Sequence, residues 1–308
     1  MTFSLNNTNK MLHFTFLGTS SGVPTLARNV SALAIRNSKN KDWILVDAGE
    51  GTQHRIQQTK LSLQNLIAIC ITHVHGDHCY GLVGLLASAG MNARTTALTI
   101  IAPKEIQQWI EVTAQLTDLH LPYLLNFIDV NEATQILQIT DELSIQAHQL
   151  SHRVPSFAFS IIAQHIHKKL DTQALIQLGV PKGKAWGDLQ QGLDIEFNGE
   201  NLKAADFIQT QTQRVHAIVG GDNDRPKLLA QACQDAQLLI HESTYTQVIL
   251  DKVGSGPMHS SAKMVAEFAQ QQSLSNLILT HFSPRHQDQI GQRAMQMKST
   301  NIIKATFI

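Results

Sequence analysis

Short apolar runs, each closed by polar or turn-forming residues, set the rhythm of this chain. Leu12–Leu17 alternates like a strand and meets the turn-forming loop Gly18-Thr-Ser-Ser-Gly-Val-Pro24. Ser31–Arg36 and Trp43–Val46 predict two more strands around the polar turn 37–42, and Ile67–Ile71 reads as a short buried strand. Helical patterns follow at Gln53–Thr59, Gly81–Ser88 and Lys104–Leu116, with strands at Leu98–Ala102 and Leu124–Ile128. Ile136–Ile139 and Leu143–Ala147 form a hairpin-like pair, and residues 157–163 are a further strand. In the last third, strands at His216–Val219, Leu238–Ile240 and Leu277–Thr280 alternate with a helix at Lys227–Gln234 and one that Ser260 or Ser261 caps, running to about Gln271. Both halves, 12–155 and 200–308, repeat strand, polar end and helix. The pattern predicts an α/β (α+β) protein in which two β-rich layers pack together under helices. Residues 11–308 are expected to form a single domain, and residues 1–10 a disordered or tag-like extension.

What closes the strands is more informative than the strands themselves. Ile67–Ile71 runs into His73, His75, Asp77 and His78, four potential metal ligands within six positions. On extended backbone His73 and His75 point to one side, and Gly76 permits a sharp turn that brings in Asp77 and His78. Imidazole nitrogen and carboxylate oxygen suit a borderline-soft divalent ion such as zinc. His152 follows another strand; His148, four residues earlier, could join it only on a helix, which Pro155 and the β-rich surroundings disfavour. Asp222 follows Gly220-Gly221, and His281 closes Leu277–Thr280. Seven strand-end ligands exceed the three that one catalytic zinc takes, and two ions sharing a carboxylate accommodate them. The turn Asp47-Ala-Gly-Glu-Gly-Thr52 could cradle a phosphate, but it lacks the Lys and Ser/Thr of a Walker sequence.

Composition narrows the setting. Acids and bases balance at 24 each, so no global basic field marks a nucleic-acid partner, and a polyanion would need local patches and metal. Three cysteines are too few for a disulfide framework and suit a reducing cytoplasm; Cys79, beside His78, reads as a packing residue. No apolar run approaches the roughly 18 residues of a membrane span. One stretch breaks the rhythm. Residues 168–192 hold four glycines, the lysines Lys168, Lys169, Lys182 and Lys184, and Trp186. This composition suits a protruding arm, here bounded as 164–196, that is either a solvated insertion or a grip on nucleic-acid phosphates.

From about residue 12 the chain resembles the metallo-β-lactamase fold, and within it the ribonuclease Z family of tRNA 3′-processing endonucleases. The matching segments are Phe16–Pro24, Arg28-Asn-Val30, Asp47–Gln53, the His73–His78 motif with Gly81-Leu82, and Gly221-Asp222. His241-Glu-Ser-Thr244, His259-Ser260 and Leu279–Ser283 match as well. The resemblance implies a four-layer αββα sandwich with a flexible tRNA-binding arm. It implies two zinc ions per subunit, with manganese or another divalent ion as substitutes. His73, His75 and His152 would hold one ion, Asp77, His78 and His281 the other, and Asp222 would bridge them. A metal-bridging hydroxide, oriented by Asp77, would attack the phosphodiester of precursor tRNA, leaving a tRNA 3′-hydroxyl and a 5′-phosphorylated trailer. His259, supported by Glu242, would protonate the departing oxygen. A homodimer in which one arm serves the partner's site is also implied. The chain departs from the family pattern at Gly221–Pro226, one residue longer, which makes Asp224 a rival for the bridge. It also departs at Ser156–Ser160, which lacks the family's glycine and basic residue, and at Ser88–Asn92, which differs from the family's basic version.

Overall fold

The computed structural model describes residues 2–5 and 11–286. The first sheet runs in chain order through β1 (Thr2–Leu5), β2 (Leu12–Gly18), β3 (Ala32–Asn37), β4 (Trp43–Val46), β5 (Leu66–Cys70), β6 (Leu98–Ala102) and β7 (Leu125–Asp129). Pairing is antiparallel as far as β4 and parallel from β4 to β7. Parallel neighbours need crossovers. These are α1 (Thr52–Gln57), the pair α2 (Gly76–Cys79) and α3 (Leu82–Met91), and α4 (Lys104–Thr117). The second sheet begins with β8 (Leu137–Thr140), β9 (Leu143–Leu150) and β10 (Ser156–Leu170). After an insertion it resumes with β13 (Ile208–Gly220), β14 (Leu238–Glu242) and β15 (Leu277–Thr280), in the spatial order β15-β14-β13-β10-β9-β8. Helices α8 (Gln247–Val253) and α9 (Ala262–Gln271) accompany its parallel half.

Alternation along the strands explains the layering. One face of each sheet contributes to a shared core that includes Phe14, Ile35, Ile44, Phe157, Phe159 and Ile240. The outer face of the first sheet, with Leu45, Ile69 and Ile100, packs on Leu82, Leu85, Leu86 and Ile106 of α3 and α4. The outer face of the second, with Ile218 and Leu239, packs on Val265, Phe268 and Ala269 of α9. The order is helix, sheet, sheet, helix: the αββα sandwich. None of the helices among the described residues is long and apolar enough to cross a membrane.

Three expectations change. Thr2–Leu5, assigned to an extension, is instead an edge strand in register with Leu12–Thr15, and Ser4 Oγ lies 2.7 Å from His13 Nδ1. β2 would otherwise present an unpaired edge, and the short strand occupies it. The rest of the 1–10 segment and the 287–308 end of the expected domain lie outside the described residues. The Lys227–Gln234 helix is replaced by two 3₁₀ turns, Pro226–Leu229 and Ala232–Asp235.

The insertion is a compact unit in its own right, Gln164–Arg214, extending past the expected limit of residue 196. It holds α5 (Thr172–Gln177), α6 (Lys184–Gln190), the hairpin β11 (Ile195–Phe197) and β12 (Glu200–Leu202), and α7 (Ala204–Phe207). Leu170, Leu175, Val180, Leu189, Ala204 and Phe207 form its small core, which is why residues beyond 196 belong to it. α6, unforeseen because Gly187 interrupts its pattern, is held by Leu189 in that core and by Trp186 Nε1 donating to the Val180 carbonyl at 3.1 Å. Lys168, Lys169, Lys182 and Lys184 are all exposed, and Lys182 Nζ sits 5.5 Å from the Trp186 ring centre.

Candidate metal centre

β4, β5, β9, β13, β14 and β15 deliver their following residues to one edge of the sandwich. β5 ends at Cys70, and the chain passes through Thr72 and His73 to His75, which precedes α2 with extended backbone (φ −66°, ψ 145°). Asp77 and His78 then fall in the first turn of α2. His152 follows β9, Asp222 follows β13 and His281 follows β15.

These residues converge. Donor atoms of His73, His75, His152 and Asp222 lie within 4.8 Å of one another, as do those of Asp77, His78 and His281. Asp222 faces both groups: Oδ2 is 3.6 Å from His73 Nε2 and 3.6 Å from His152 Nε2, while Oδ1 is 3.5 Å from His78 Nε2 and 3.3 Å from His281 Nε2. Asp77 Oδ2 is 3.3 Å from His281 Nε2 and accepts from Gly22 N–H at 2.7 Å. Asp224 stands apart from both groups, its carboxylate 3.8 Å from Arg225 Nε.

The chemistry of the donor set fits a pair of cations. His73 Nε2 and Asp222 Oδ1 are fully buried without a hydrogen-bond partner, an arrangement that costs free energy unless something is coordinated there. Burial, with the neighbouring His78, pulls the His73 imidazole well below its ordinary pKa, and burial with His152 lowers that of His75. His152 is lowered chiefly by burial. Such rings are neutral at pH 7, as ligands must be. Burial alone would raise Asp222, but His281, His78 and His73 outweigh it and hold the carboxylate ionised. His78 goes the other way. Its burial is overcome by Asp47 and Asp222, so two carboxylates around one imidazole call for positive charge at that point.

An outer ring of partners fixes the ring orientations, as metal-ligating histidines require. Asp47 Oδ2 lies 2.6 Å from His78 Nδ1, and the same carboxylate accepts from Thr72 N–H at 2.8 Å and Thr72 Oγ1 at 3.0 Å. Thr72 Oγ1 is 2.9 Å from His73 Nδ1, Thr244 Oγ1 is 2.9 Å from His281 Nδ1, and His152 Nδ1 is 2.9 Å from the Met258 carbonyl. Asp47, Met258 and His281 all have left-handed backbone, with φ near 60° although none is glycine. Strain of about 1–3 kcal/mol per residue is held in place by this network.

Beside the donors lies a second pair. Glu242 is buried at the end of β14 and accepts from Thr244 N–H and Oγ1, both at 2.8 Å, and from Ser260 N–H at 2.7 Å. His259 Nδ1 is 3.3 Å from Glu242 Oε1 and 3.8 Å from Asp222 Oδ2. Burial would lower His259, but Glu242 overrides it and raises the imidazole pKa. A cleft of about 380 Å³ opens over the centre, lined by Glu50, Asp77, Arg153, His259 and His281 among others.

Every ligand proposed from the sequence is thus in one place, with Glu242 and His259 adjacent. Missing from that reading were the orienting roles of Asp47, Thr72 and Thr244. Asp47 stood in the Asp-x-Gly-x-Gly turn, whose first glycine serves packing: a Cβ on Gly49 would meet the Asp77 carbonyl oxygen at 2.2 Å.

A layered αββα sandwich with a shared-carboxylate donor set at one edge defines a metallohydrolase of the metallo-β-lactamase fold. The metallo-beta-lactamase fold protein YhfI from Bacillus subtilis superposes with a TM-score of 0.64 at 17% identity, covering 96% of each chain. Human tRNase Z, short form, does so with a TM-score of 0.66 at 25% identity, over 97% of this chain and 98% of that one. Ribonuclease Z of Marinobacter nauticus is 47% identical over 281 residues, 91% of this chain and 87% of that protein. Ribonuclease Z of Brevibacillus brevis is 34% identical over 92% and 88%. The chain belongs to the ribonuclease Z family, whose members are metal-dependent endoribonucleases. Residues 12–178 also match the family model described as anti-Pycsar protein Apyc1.

Proposed function

We propose that the protein is a zinc-dependent endoribonuclease that removes the 3′ trailer from precursor tRNA, leaving a tRNA 3′-hydroxyl and a 5′-phosphorylated trailer. The observation that carries this reading is the two-sided Asp222 carboxylate between two donor groups, with His259, backed by the buried Glu242, lining the same cleft. His73, His75 and His152 would hold one ion and Asp77, His78 and His281 the other. The mixed nitrogen and oxygen donors favour zinc, with manganese as a substitute. Bound there, the pair of ions neutralises phosphate charge and acidifies water at neutral pH.

The chain's own residues do the rest. Asp77, ionised and tethered to Gly22 N–H, orients the attacking water. His259, whose protonated form the fixed Glu242 carboxylate favours, donates to the departing 3′-oxygen, which leaves poorly as an alkoxide. Lys168, Lys169, Lys182 and Lys184 on the insertion contact tRNA phosphates. The protein acts in the cytoplasm as a homodimer in which one subunit's insertion presents tRNA to the other's site.

The test compares a 3′-extended precursor tRNA with bis-p-nitrophenyl phosphate, using zinc-loaded wild type and a deletion variant in which the whole compact unit, residues 164–214, is replaced by a short turn. The proposal expects the deletion to abolish precursor cleavage and spare the small ester. Intact RNA with metal-loaded wild type would sink it. Small-ester turnover without any RNA cleavage would make the protein a small-molecule phosphodiesterase of the same fold.

A further inference from the structure

A second concave surface lies away from the metal centre, on the outer face of the first sheet at the opposite end of β2 and β3. It encloses about 560 Å³, and His13, Arg36, Lys41 and Lys60 line it with no carboxylate among the lining residues. Arg36 stands directly across from His13 on β2 and from Trp43 on β4. Trp43 is buried and donates from Nε1 to the Ser62 carbonyl at 2.8 Å, which pins the loop that carries Lys60. Within that loop Leu61 N–H donates to Thr59 Oγ1 at 3.0 Å. The turn bearing Lys41 is closed by Asn37 N–H donating to the Asp42 carbonyl at 3.2 Å and by Asp42 N–H donating to Asn40 Oδ1 at 3.0 Å. Three cations are therefore set on ordered backbone around one groove.

None of Arg36, Lys41 and Lys60 has an ion-pair partner among the described residues, whereas the nearby Lys39 is taken by Glu142 at 3.4 Å. Like charges gathered without a counter-charge favour an anion between them. Long cationic side chains around an open groove, with no buried donor at its base, suit successive backbone phosphates better than one small anion, which needs convergent fixed donors. β2 spans roughly 20 Å from this groove to the Gly18–Pro24 loop that contacts Asp77, a distance that a folded RNA bridges.

We infer that this groove binds backbone phosphates of the RNA substrate remote from the scissile bond. The inference rests on the reading that the substrate is a structured RNA. Its test uses the zinc-loaded full chain as wild type, R36Q/K41Q/K60Q, the double variant K41Q/K60Q at two exposed lysines, and K39Q. Measured are the Kd for trimmed tRNA across salt, the Kd for ATP, kcat/KM on precursor tRNA, and turnover of bis-p-nitrophenyl phosphate. Three lost phosphate contacts flatten the slope of log Kd against log salt by about 2 to 3, and two by about two-thirds of that. kcat/KM on the precursor falls with binding, small-ester turnover is unchanged, and K39Q keeps the wild-type slope. A wild-type slope in the triple variant, while wild type still cleaves precursor, overturns the groove and leaves the proposed function standing. Triple-variant loss of ATP binding with an unchanged tRNA slope also overturns it, by assigning the groove to a small phosphate ligand. Failure of wild type to cleave precursor overturns the function itself.

Discussion

Asp47→Asn isolates the contribution of the outer ring of the metal centre. The substitution keeps the shape of the side chain and a residue type that tolerates the left-handed backbone at φ 60°. It removes a charge from a buried carboxylate that accepts from Thr72 N–H at 2.8 Å, Thr72 Oγ1 at 3.0 Å and His78 Nδ1 at 2.6 Å. The amide has one acceptor oxygen, so either His78 or the Thr72 amide faces an NH₂ group. Losing a charge-assisted hydrogen bond of this kind costs about 1.5–3 kcal/mol of folding stability. Freed from its orienting partner, His78 binds metal less well, and outer partners of ligating histidines are worth about 10- to 100-fold in affinity, or about 1.4–2.8 kcal/mol. Chelator competition for zinc, with urea unfolding of the metal-free chain, measures both. Unchanged zinc affinity and unchanged stability would refute the assignment of Asp47 as the residue that fixes His78.

His259→Ala is expected to lower kcat on precursor by about 10²- to 10⁴-fold with zinc content unchanged, since a proton donor rather than a ligand is removed; loss of a zinc equivalent would make His259 a ligand. Gly49→Ala pushes a Cβ to 2.2 Å from the Asp77 carbonyl oxygen, so thermal melting should show a loss of about 1–3 kcal/mol or more. Gly256→Ala, where nothing lies within 4 Å, should be near neutral in the same experiment. Burial pushes the Cys233 thiol up to about 12 and raises Cys70 and Cys79 as well, so reactive thiolate is scarce at about pH 8. A thiol reagent at that pH should label none of the three until the chain unfolds; stoichiometric labelling of the folded protein would contradict their burial.

The metal centre was legible because its ligands sit at strand ends. An apolar run announces a strand, and polar chemistry immediately after it announces what the strand delivers. His73, His75, Asp77 and His78 were visible for that reason, and Asp222 was favoured over Asp224 by its place directly after the strand. Asp47, Thr72 and Thr244 were not visible, because their contribution depends on hydrogen bonds between segments far apart in sequence. The left-handed backbone at Asp47, Met258 and His281 leaves no mark in residue type either, since each is held by its surroundings. Similarly, the extent of the Gln164–Arg214 unit depends on Ala204 and Phe207 closing a small core over Leu175 and Leu189, a pairing that composition cannot reveal. Thr2–Leu5 pairs with β2 because that edge is open, and its sequence reads as polar tail.

The central claim is the chemistry at the shared carboxylate, and end-group mapping of a single-turnover reaction on 3′-extended precursor tRNA tests it most directly. One cut is expected, with a tRNA ending in a 3′-hydroxyl, a trailer beginning with a 5′-phosphate, and no cut after chelation or in Asp222→Ala. A 2′,3′-cyclic phosphate end, or the same cut by the chelated enzyme, would contradict it.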